Sequence, residues 1–186
     1  MRVVVFLLAL CASRTLALWP KPRQITTGTE TLKLSPSFSI GISHISNAPA
    51  DLKAAVTRTQ GYLKNDKLRI LMPDRGESSA EKVASAPALD SLVLSLDSNV
   101  NTRTIAYEAT LALEDRKEGY ALKVPTNGSP ATLTAATTLG LLRGLTTFSQ
   151  IWFQLSGDTY TLTAPFEIVD SPAFPYRGFM LDTARN

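Results

Sequence analysis

The sequence predicts an α+β fold in which a mixed or antiparallel sheet carries two helices on one face. Three observations support this prediction. Several segments alternate apolar and polar residues, which is the periodicity of a half-buried strand. Two longer segments space their apolar residues by three and four positions, as an amphipathic helix does. Asn127-Gly128 separates two of the alternating segments, which is typical of a tight β-hairpin.

The strand signals are short. Thr31–Leu34 and Phe38–Ile42 flank a Ser-Pro-Ser sequence that predicts a turn, and Leu92–Leu96 alternates in the same way. Tyr120–Val124 and Ala131–Ala135 form the two arms of the predicted hairpin. Further strands are predicted at 105–113, 160–162, 166–169 and, near the end of the chain, 179–181.

Two amphipathic helices are predicted. The first covers Pro49–Asn65, and its stripe comprises Leu52, Ala55, Val56, Thr59, Tyr62 and Leu63. The second begins at Thr137 or Thr138, either of which can cap it, and runs to about Gln154. Its stripe comprises Leu141, Leu145, Phe148, Trp152 and Leu155. The segment 74–87 is rich in serine, alanine and charge, and predicts a surface loop.

Residues 1–17 have the pattern of a secretory signal peptide. Arg2 precedes an apolar run of about ten residues, whereas a membrane span needs roughly 20. Small residues favour cleavage after Ala17, with Ser13 as the alternative; an uncleaved anchor or a buried strand is the other interpretation. The pattern predicts a secreted protein, or a vacuolar or lysosome-like one, with no membrane segment after cleavage.

The mature chain is nearly neutral. Without the signal peptide it has 17 basic and 16 acidic residues and no basic cluster, so its charge indicates no nucleic-acid partner. Cys11 is the only cysteine and is removed with the signal peptide, so no disulfide is predicted.

The usual catalytic motifs are missing from the sequence. His44 is the only histidine, and the two-histidine spacing of a zinc protease is absent, so neither a metal site nor a cofactor is predicted. There is no Gly-x-Ser-x-Gly elbow and no phosphate-binding loop. Glu114 and Asp115 are adjacent carboxylates, but the charged residues after them predict a solvated turn rather than a glycosidase acid pair.

Asn127-Gly128-Ser129 is also an N-glycosylation sequence. It lies in a predicted exposed turn of a secreted chain, which favours modification of Asn127. Pro130 follows directly and lowers acceptor efficiency, and the Asn-Gly pair also suits an unmodified turn.

The C-terminal segment places charges at both ends of an apolar stretch. Arg177 precedes the stretch, and Asp182 and Arg185 follow it. A guanidinium that is held by packing can donate several hydrogen bonds to a neutral polyol or an anion. The alternative is a salt bridge from Arg177 or Arg185 to Asp170 or Asp182.

The same segment, Phe174–Arg185 (FPYRGFMLDTAR), resembles the start of the catalytic barrel of family-20 glycoside hydrolases, the β-N-acetylhexosaminidases. The upstream order agrees, with EGYALKV at 118–124, TLTA at 132–135, GLLRGLTTFSQ at 140–150 and IVDSP at 168–172. Leu18–Pro22 (LWPKP) is similar to the mature start of eukaryotic, particularly fungal, members.

The resemblance implies a domain order. Residues 1–17 would be the signal peptide, 18–170 a zincin-like α+β accessory domain that lacks the zinc, and 171–186 the truncated start of the (β/α)8 catalytic barrel. It also implies that Arg177 binds hydroxyls of the terminal sugar, whereas Asp182 and Arg185 form structural ion pairs. Partners of the full-length protein would be N-acetylhexosamine-terminated glycans or chitooligosaccharides, the barrel domain and, as in many relatives, a second copy.

The family's reaction is substrate-assisted hydrolysis that needs an Asp-Glu pair, and this pair is not in the sequence. The chain alone is therefore predicted to be an inactive N-terminal fragment of a secreted exo-β-N-acetylhexosaminidase. The alternative is a stand-alone, non-catalytic secreted module that docks on a barrel domain or a glycan. A degenerate metalloprotease-like domain is disfavoured by the lone His44.

Overall fold

The computed structural model describes residues 18–42, 45–65, 76–97, 102–178 and 180–183. The predicted signal peptide and His44 lie outside these residues. The strands are Gln24–Gly41 (β1), Ala88–Leu96 (β2), Tyr120–Val124 (β3), Ala131–Ala135 (β4), Phe153–Leu155 (β5) and Asp158–Asp170 (β6). The helices are Ala50–Asn65 (α1), Ala80–Ala84 (α2), Ile105–Thr110 (α3) and Thr138–Gln150 (α4), and a 3-10 turn covers Glu77–Ser79.

The described strands form one mixed sheet in the order β1-β2-β4-β3-β6-β5. β2 runs parallel to both β1 and β4, and the other neighbours are antiparallel. β1 is long enough to pair twice, first with β6 through Gln24–Lys33 and then with β2 through Lys33–Gly41. The prediction of a mixed α+β fold is confirmed.

One face of the sheet is buried and the other is open. The buried side chains of β2, β3, β4 and β6 are almost fully enclosed; they include Leu92, Leu94, Leu122, Leu133 and Ile168. Their neighbours along the strands, such as Lys123, Thr132 and Glu167, are exposed. α4 packs on β2, β3 and β4, and α1 packs on α4 and β1. None of the described helices is long and apolar enough to span a bilayer.

In two places, two strands that the sequence predicts as separate are one continuous strand in the structure. β1 continues through the predicted Ser-Pro-Ser turn, and its register with β2 shifts between Leu34 and Ser39. Pro36 fits at this irregularity because a proline has no N–H to donate to the ladder. Likewise, the short strands predicted at 160–162 and 166–169 are both parts of β6, which runs on through Pro165.

The prediction of a strand at 105–113 is wrong, because these residues begin a helix. The Oγ1 of Thr104 accepts a hydrogen bond from the N–H of Tyr107 at 3.0 Å, which caps α3. Asp51, in the first turn of α1, accepts a bond from the N–H of Ala106 at 3.1 Å and ties the two helices together. Part of the predicted loop at 74–87 is also helical, as the 3-10 turn and α2.

The buried strand predicted at 179–181 is not formed in the described part of this segment. No described residue after Asp170 is in a strand, and Met180 and Leu181 are exposed. A strand needs a neighbour to pair its backbone groups, and none of the six strands lies alongside these residues. Phe179 itself lies outside the described residues.

Candidate functional site

A buried carboxylate joins three parts of the chain at the start of β3. Glu118 is 5% exposed, and its Oε2 accepts hydrogen bonds from two arginines. The Nε of Arg143, on α4, donates at 2.7 Å, and the Nη2 of Arg177 donates at 2.6 Å. Charge-assisted bonds of this length are the strong ones in proteins. We call Glu118, Arg143 and Arg177 the arginine–glutamate cluster.

The start of α4 sets the position of Glu118. The Oγ1 of Thr137 accepts a hydrogen bond from the N–H of Gly140 at 3.1 Å, and so caps the helix as predicted. The same hydroxyl donates to the carbonyl of Lys117 at 2.5 Å. The residues that precede β3 therefore lie against the first turn of α4. Arg143 follows one helical turn later.

Arg177 lies at the surface of the cluster. Its Nη1 donates to the carbonyl of Phe174 at 2.9 Å, and its side chain is 37% exposed. Among the described residues its ionic partner is Glu118, which the salt-bridge alternative did not name. Asp170 instead accepts bonds from the N–H of Arg23 and the hydroxyl of Tyr120. Arg185 lies outside the described residues, so ion pairing by Asp182 and Arg185 stays a prediction.

A small cleft of about 260 Å³ adjoins the cluster. It lies between the segment before β3 and the segment after β6, and it is lined by Leu113, Arg116, Lys117, Glu118, Gly119, Ser171, Pro172, Pro175 and Arg177. Three of these residues are basic and only one is acidic, so the cleft can accept hydroxyl or anionic groups.

Family membership is decided by residues 18–151. They match the family model described as "beta-acetyl hexosaminidase like". The chain belongs to the beta-acetyl hexosaminidase-like family. This confirms the resemblance to family-20 enzymes that the sequence predicts.

Beta-hexosaminidases of animals and plants are similar along most of the chain. Beta-hexosaminidase subunit beta of Felis catus is 34% identical over 176 residues, covering 91% of this chain. Beta-hexosaminidase 3 of Arabidopsis thaliana is 31% identical over 177 residues, covering 92% of it. The chain spans only 30% of the length of each relative. A specifically fungal relationship stays a prediction.

One solved structure is similar in fold along most of this chain. The chitobiase of Flavobacterium johnsoniae superposes with a TM-score of 0.53 at 22% identity, over 89% of this chain and 22% of that one. The mixed sheet and its helices are therefore a fold that this chitobiase shares.

A second buried polar group of this beta-acetyl hexosaminidase-like chain lies near the cluster. The hydroxyl of Tyr120, in β3, lies 2.6 Å from Oγ1 of Thr147 and 3.3 Å from Oδ2 of Asp170. Burial, which disfavours the charged phenolate, raises the pKa of Tyr120 to about 12, and the charge of Asp170 acts in the same direction.

The raised pKa predicts a loss of stability at high pH. The unfolded tyrosine ionises near pH 10, so Tyr120 contributes its full stability below that pH and loses it as the pH rises towards 12. We expect a late step in the absorbance titration at 295 nm, near pH 12. Tyr120→Phe should remove this step, whereas Tyr62→Phe, at an exposed position, should leave it. A titration without the late step in the native chain would contradict the assignment.

The other predicted site residues stay separate from the cluster. Asn127 is exposed in the turn between β3 and β4, where its Oδ1 accepts a bond from the N–H of Ser129, and its glycosylation stays a prediction. Glu114 and Asp115 are exposed, as a solvated turn requires. Within the ranges that the structure describes, no three His, Cys, Asp or Glu side chains are grouped to hold a metal.

Sequence reasoning missed Glu118 and Arg143. Both lie in the segments that carry the family resemblance, but 25 residues separate them from each other, and 59 separate Glu118 from Arg177. A charged residue two positions before the apolar strand β3 is the one available signal. Spacing in the chain does not reveal a pair that only the packing of α4 against β3 creates.

Proposed function

We propose that this chain is the N-terminal part of a secreted exo-β-N-acetylhexosaminidase. The whole protein would remove terminal non-reducing N-acetylhexosamine residues from glycans or chitooligosaccharides. The observation that carries this proposal is the family match over residues 18–151, together with relatives named beta-hexosaminidases. A homodimer of the full-length protein belongs to the same proposal.

The proposed reaction is substrate-assisted hydrolysis without a cofactor. The acetamido oxygen of the sugar attacks the anomeric carbon, while an Asp-Glu pair orients the acetamido group and protonates the leaving oxygen. The 186 residues contain no Asp-Glu dipeptide, so the chain by itself should not hydrolyse a chromogenic N-acetylglucosaminide. Turnover by the purified chain would refute this part of the proposal.

The proposed division of the chain is a zincin-like accessory domain at 18–170 and the start of a catalytic barrel at 171–186. The segment 171–186 includes four large apolar side chains that are exposed: Phe174, Tyr176, Met180 and Leu181. Soluble proteins seldom leave such a group of side chains in water, which supports a barrel domain as the partner that covers them.

Arg177 is proposed to bind hydroxyls of the terminal sugar. A guanidinium has five N–H donors. Two of them are used by Phe174 and Glu118, and within the described residues no further hydrogen bond occupies the other three. In a protein that includes the barrel, Arg177→Gln should lower kcat/KM about 10- to 1000-fold, because one or two charge-assisted hydrogen bonds to the sugar are lost.

The matched control is Arg58→Gln, at an exposed position of α1 far along the chain from the cluster. It should keep kcat/KM within about two-fold of the unsubstituted protein. Unchanged kinetics in the Arg177→Gln protein would show that Arg177 is not a sugar ligand.

The second candidate function is a non-catalytic secreted module that docks on a separate barrel or a glycan. The exposed apolar segment after β6 favours a barrel as its partner. One sequence observation separates the two candidates. A reading frame that continues into an Asp-Glu pair would support the enzyme rather than the non-catalytic module.

A further inference from the structure

We propose that the arginine–glutamate cluster and its cleft form the surface on which this domain binds the barrel, and that the barrel supplies an acidic side chain to it. The inference rests on the proposed barrel domain, and it does not depend on the proposed sugar contact of Arg177. The two domains thus meet beside the start of β3, through contacts between basic side chains and a carboxylate.

Basic side chains outnumber acidic ones around the cleft. Arg116, Lys117 and Arg177 line it. Arg143 adds a fourth positive charge through its bond to Glu118, the one acidic residue of the cleft. Like charges that are held this close repel each other unless a counter-charge is supplied. An acidic group from a partner would therefore stabilise this surface.

The acidic residues nearest in the chain do not supply the counter-charge. Glu114 and Asp115 directly precede Arg116, but both are exposed and neither lines the cleft. None of the ion pairs between described residues involves Arg116 or Lys117. The cleft therefore keeps an excess of positive charge.

Arg116 is held as a donor for an acidic group. Its Nε donates to the carbonyl of Leu111 at 2.8 Å, and this contact orients the planar guanidinium at the cleft. No hydrogen bond to a described residue occupies its two terminal nitrogens. Two terminal nitrogens of one guanidinium can bind a carboxylate through two parallel hydrogen bonds. The group that fits here is therefore the side chain of an aspartate or a glutamate.

Apolar side chains surround the basic centre of the cleft. Leu113 lines one wall and is 38% exposed, and Pro172 and Pro175 line the other. Phe174, between the two prolines, is 71% exposed. A small anion would gain nothing from these apolar groups, whereas a folded protein surface would cover them. The occupant that fits the cleft is therefore a protein surface that carries a carboxylate.

The barrel is the protein surface that the chain brings to the cleft. The bond from Nη2 of Arg177 to Oε2 of Glu118, at 2.6 Å, holds the segment after β6 against this domain. In the proposed protein, the same segment continues into the barrel. A tethered domain has an effective concentration on the order of millimolar, so a weak contact is enough to dock it. A second copy or a separate protein lacks this advantage.

Cross-linking of the protein with its barrel tests the contact. A carbodiimide joins a lysine amine to a carboxylate without a spacer, so it reports pairs that are already in contact. Lys117 should become linked to an aspartate or glutamate of the barrel, as identified by mass spectrometry, and Lys117→Gln should remove the link. Lys123 is the internal control, because its Nζ lies 3.7 Å from Oε1 of Glu167 and should become linked to that residue.

Three results of this experiment would overturn the inference. In the first, Lys117 stays unlinked while the link between Lys123 and Glu167 forms. In the second, Lys117 is linked only to Glu114 or Asp115 of its own domain. In the third, the link joins two copies of the protein, which a mixture of isotope-labelled and unlabelled protein would reveal, and the cleft is then a dimer interface.

Removal of charge gives a second test, in which the sign of the effect decides. In the protein with its barrel, the double variant Arg116→Gln/Lys117→Gln should lower the midpoint of thermal unfolding by about 2–4 °C, because the carboxylate of the barrel loses its partners. Lys123→Gln, which breaks an exposed pair, should shift the midpoint by less than about 1 °C. An unchanged or raised midpoint in the double variant would show that these charges only repel each other, and would contradict the inference.

The outcomes also separate this inference from the proposed function. An active hexosaminidase in which Lys117 is not linked to the barrel overturns only the docking surface. A whole protein that contains no barrel overturns both proposals.

Discussion

Replacement of Phe148 by alanine is expected to lower the free energy of unfolding by about 3–5 kcal/mol. Phe148 has no exposed surface and is the largest fully buried side chain of α4. Its ring stacks on Phe38 of β1 at 5.9 Å between centroids and meets the edge of Trp152 at 5.5 Å. Truncation would leave a cavity between the helix layer and the sheet, where no neighbouring backbone can collapse into it cheaply.

Urea unfolding followed by tryptophan fluorescence would measure this loss. The matched control is Phe153→Ala in β5, because Phe153 is 37% exposed and should cost well under half as much. A smaller loss at Phe148 than at Phe153 would contradict the assignment of α4 to the centre of the core.

Alanine at Gly140 is the second large expected effect, a loss of about 1–3 kcal/mol despite the better helix propensity of alanine. A Cβ at this position would lie 2.5 Å from the carbonyl oxygen of Gly119 and 2.9 Å from the Cβ of Ala135. The Cβ of Ala135 belongs to β4, and the carbonyl of Gly119 is backbone just before β3. No side-chain rotation therefore relieves the clash. The first turn of α4 would have to move away from the sheet.

Gly61→Ala is the matched control in α1, where a Cβ would meet nothing within 4 Å. It should raise stability by up to about 1 kcal/mol, because alanine is the better helix former. The two glycine substitutions are thus expected to have opposite signs in the same denaturation assay. A stabilising Gly140→Ala would show that α4 does not approach β3 and β4 as closely as described.

The elements that sequence predicted best are those whose pattern and local capping agree. α4 has an apolar stripe, and Thr137, one of its two predicted caps, makes the expected bond to Gly140. The predicted end of α4 near Gln154 is wrong, because the helix ends at Gln150 and Phe153–Leu155 forms β5. The β3–β4 hairpin has alternation on both arms and an Asn-Gly turn between them. In these segments local propensity and tertiary packing favour the same structure.

The wrong predictions come from positions where tertiary contacts outweighed local signals. Pro36 and its serine neighbours have turn chemistry, and Ser35 and Ser37 do bond to each other at 3.0 Å, yet β2 keeps the strand continuous around them. The segment after Thr104 alternates over a few residues, but the threonine cap and Asp51 of α1 select a helix. A bond from a distant element leaves no mark in a local pattern.

The double pairing of β1 has a consequence for how the chain folds during synthesis. β1 ends at Gly41, but the strand that pairs with its first half, β6, begins at Asp158. A nascent chain therefore carries an unpaired strand edge until nearly the whole domain has emerged, and it must then close a loop of more than 100 residues. Such an edge is prone to pair with other chains. β6, the last strand of the described sheet, protects β1, its first strand, so folding of this sheet should be slow and should need residues as far along the chain as Asp170.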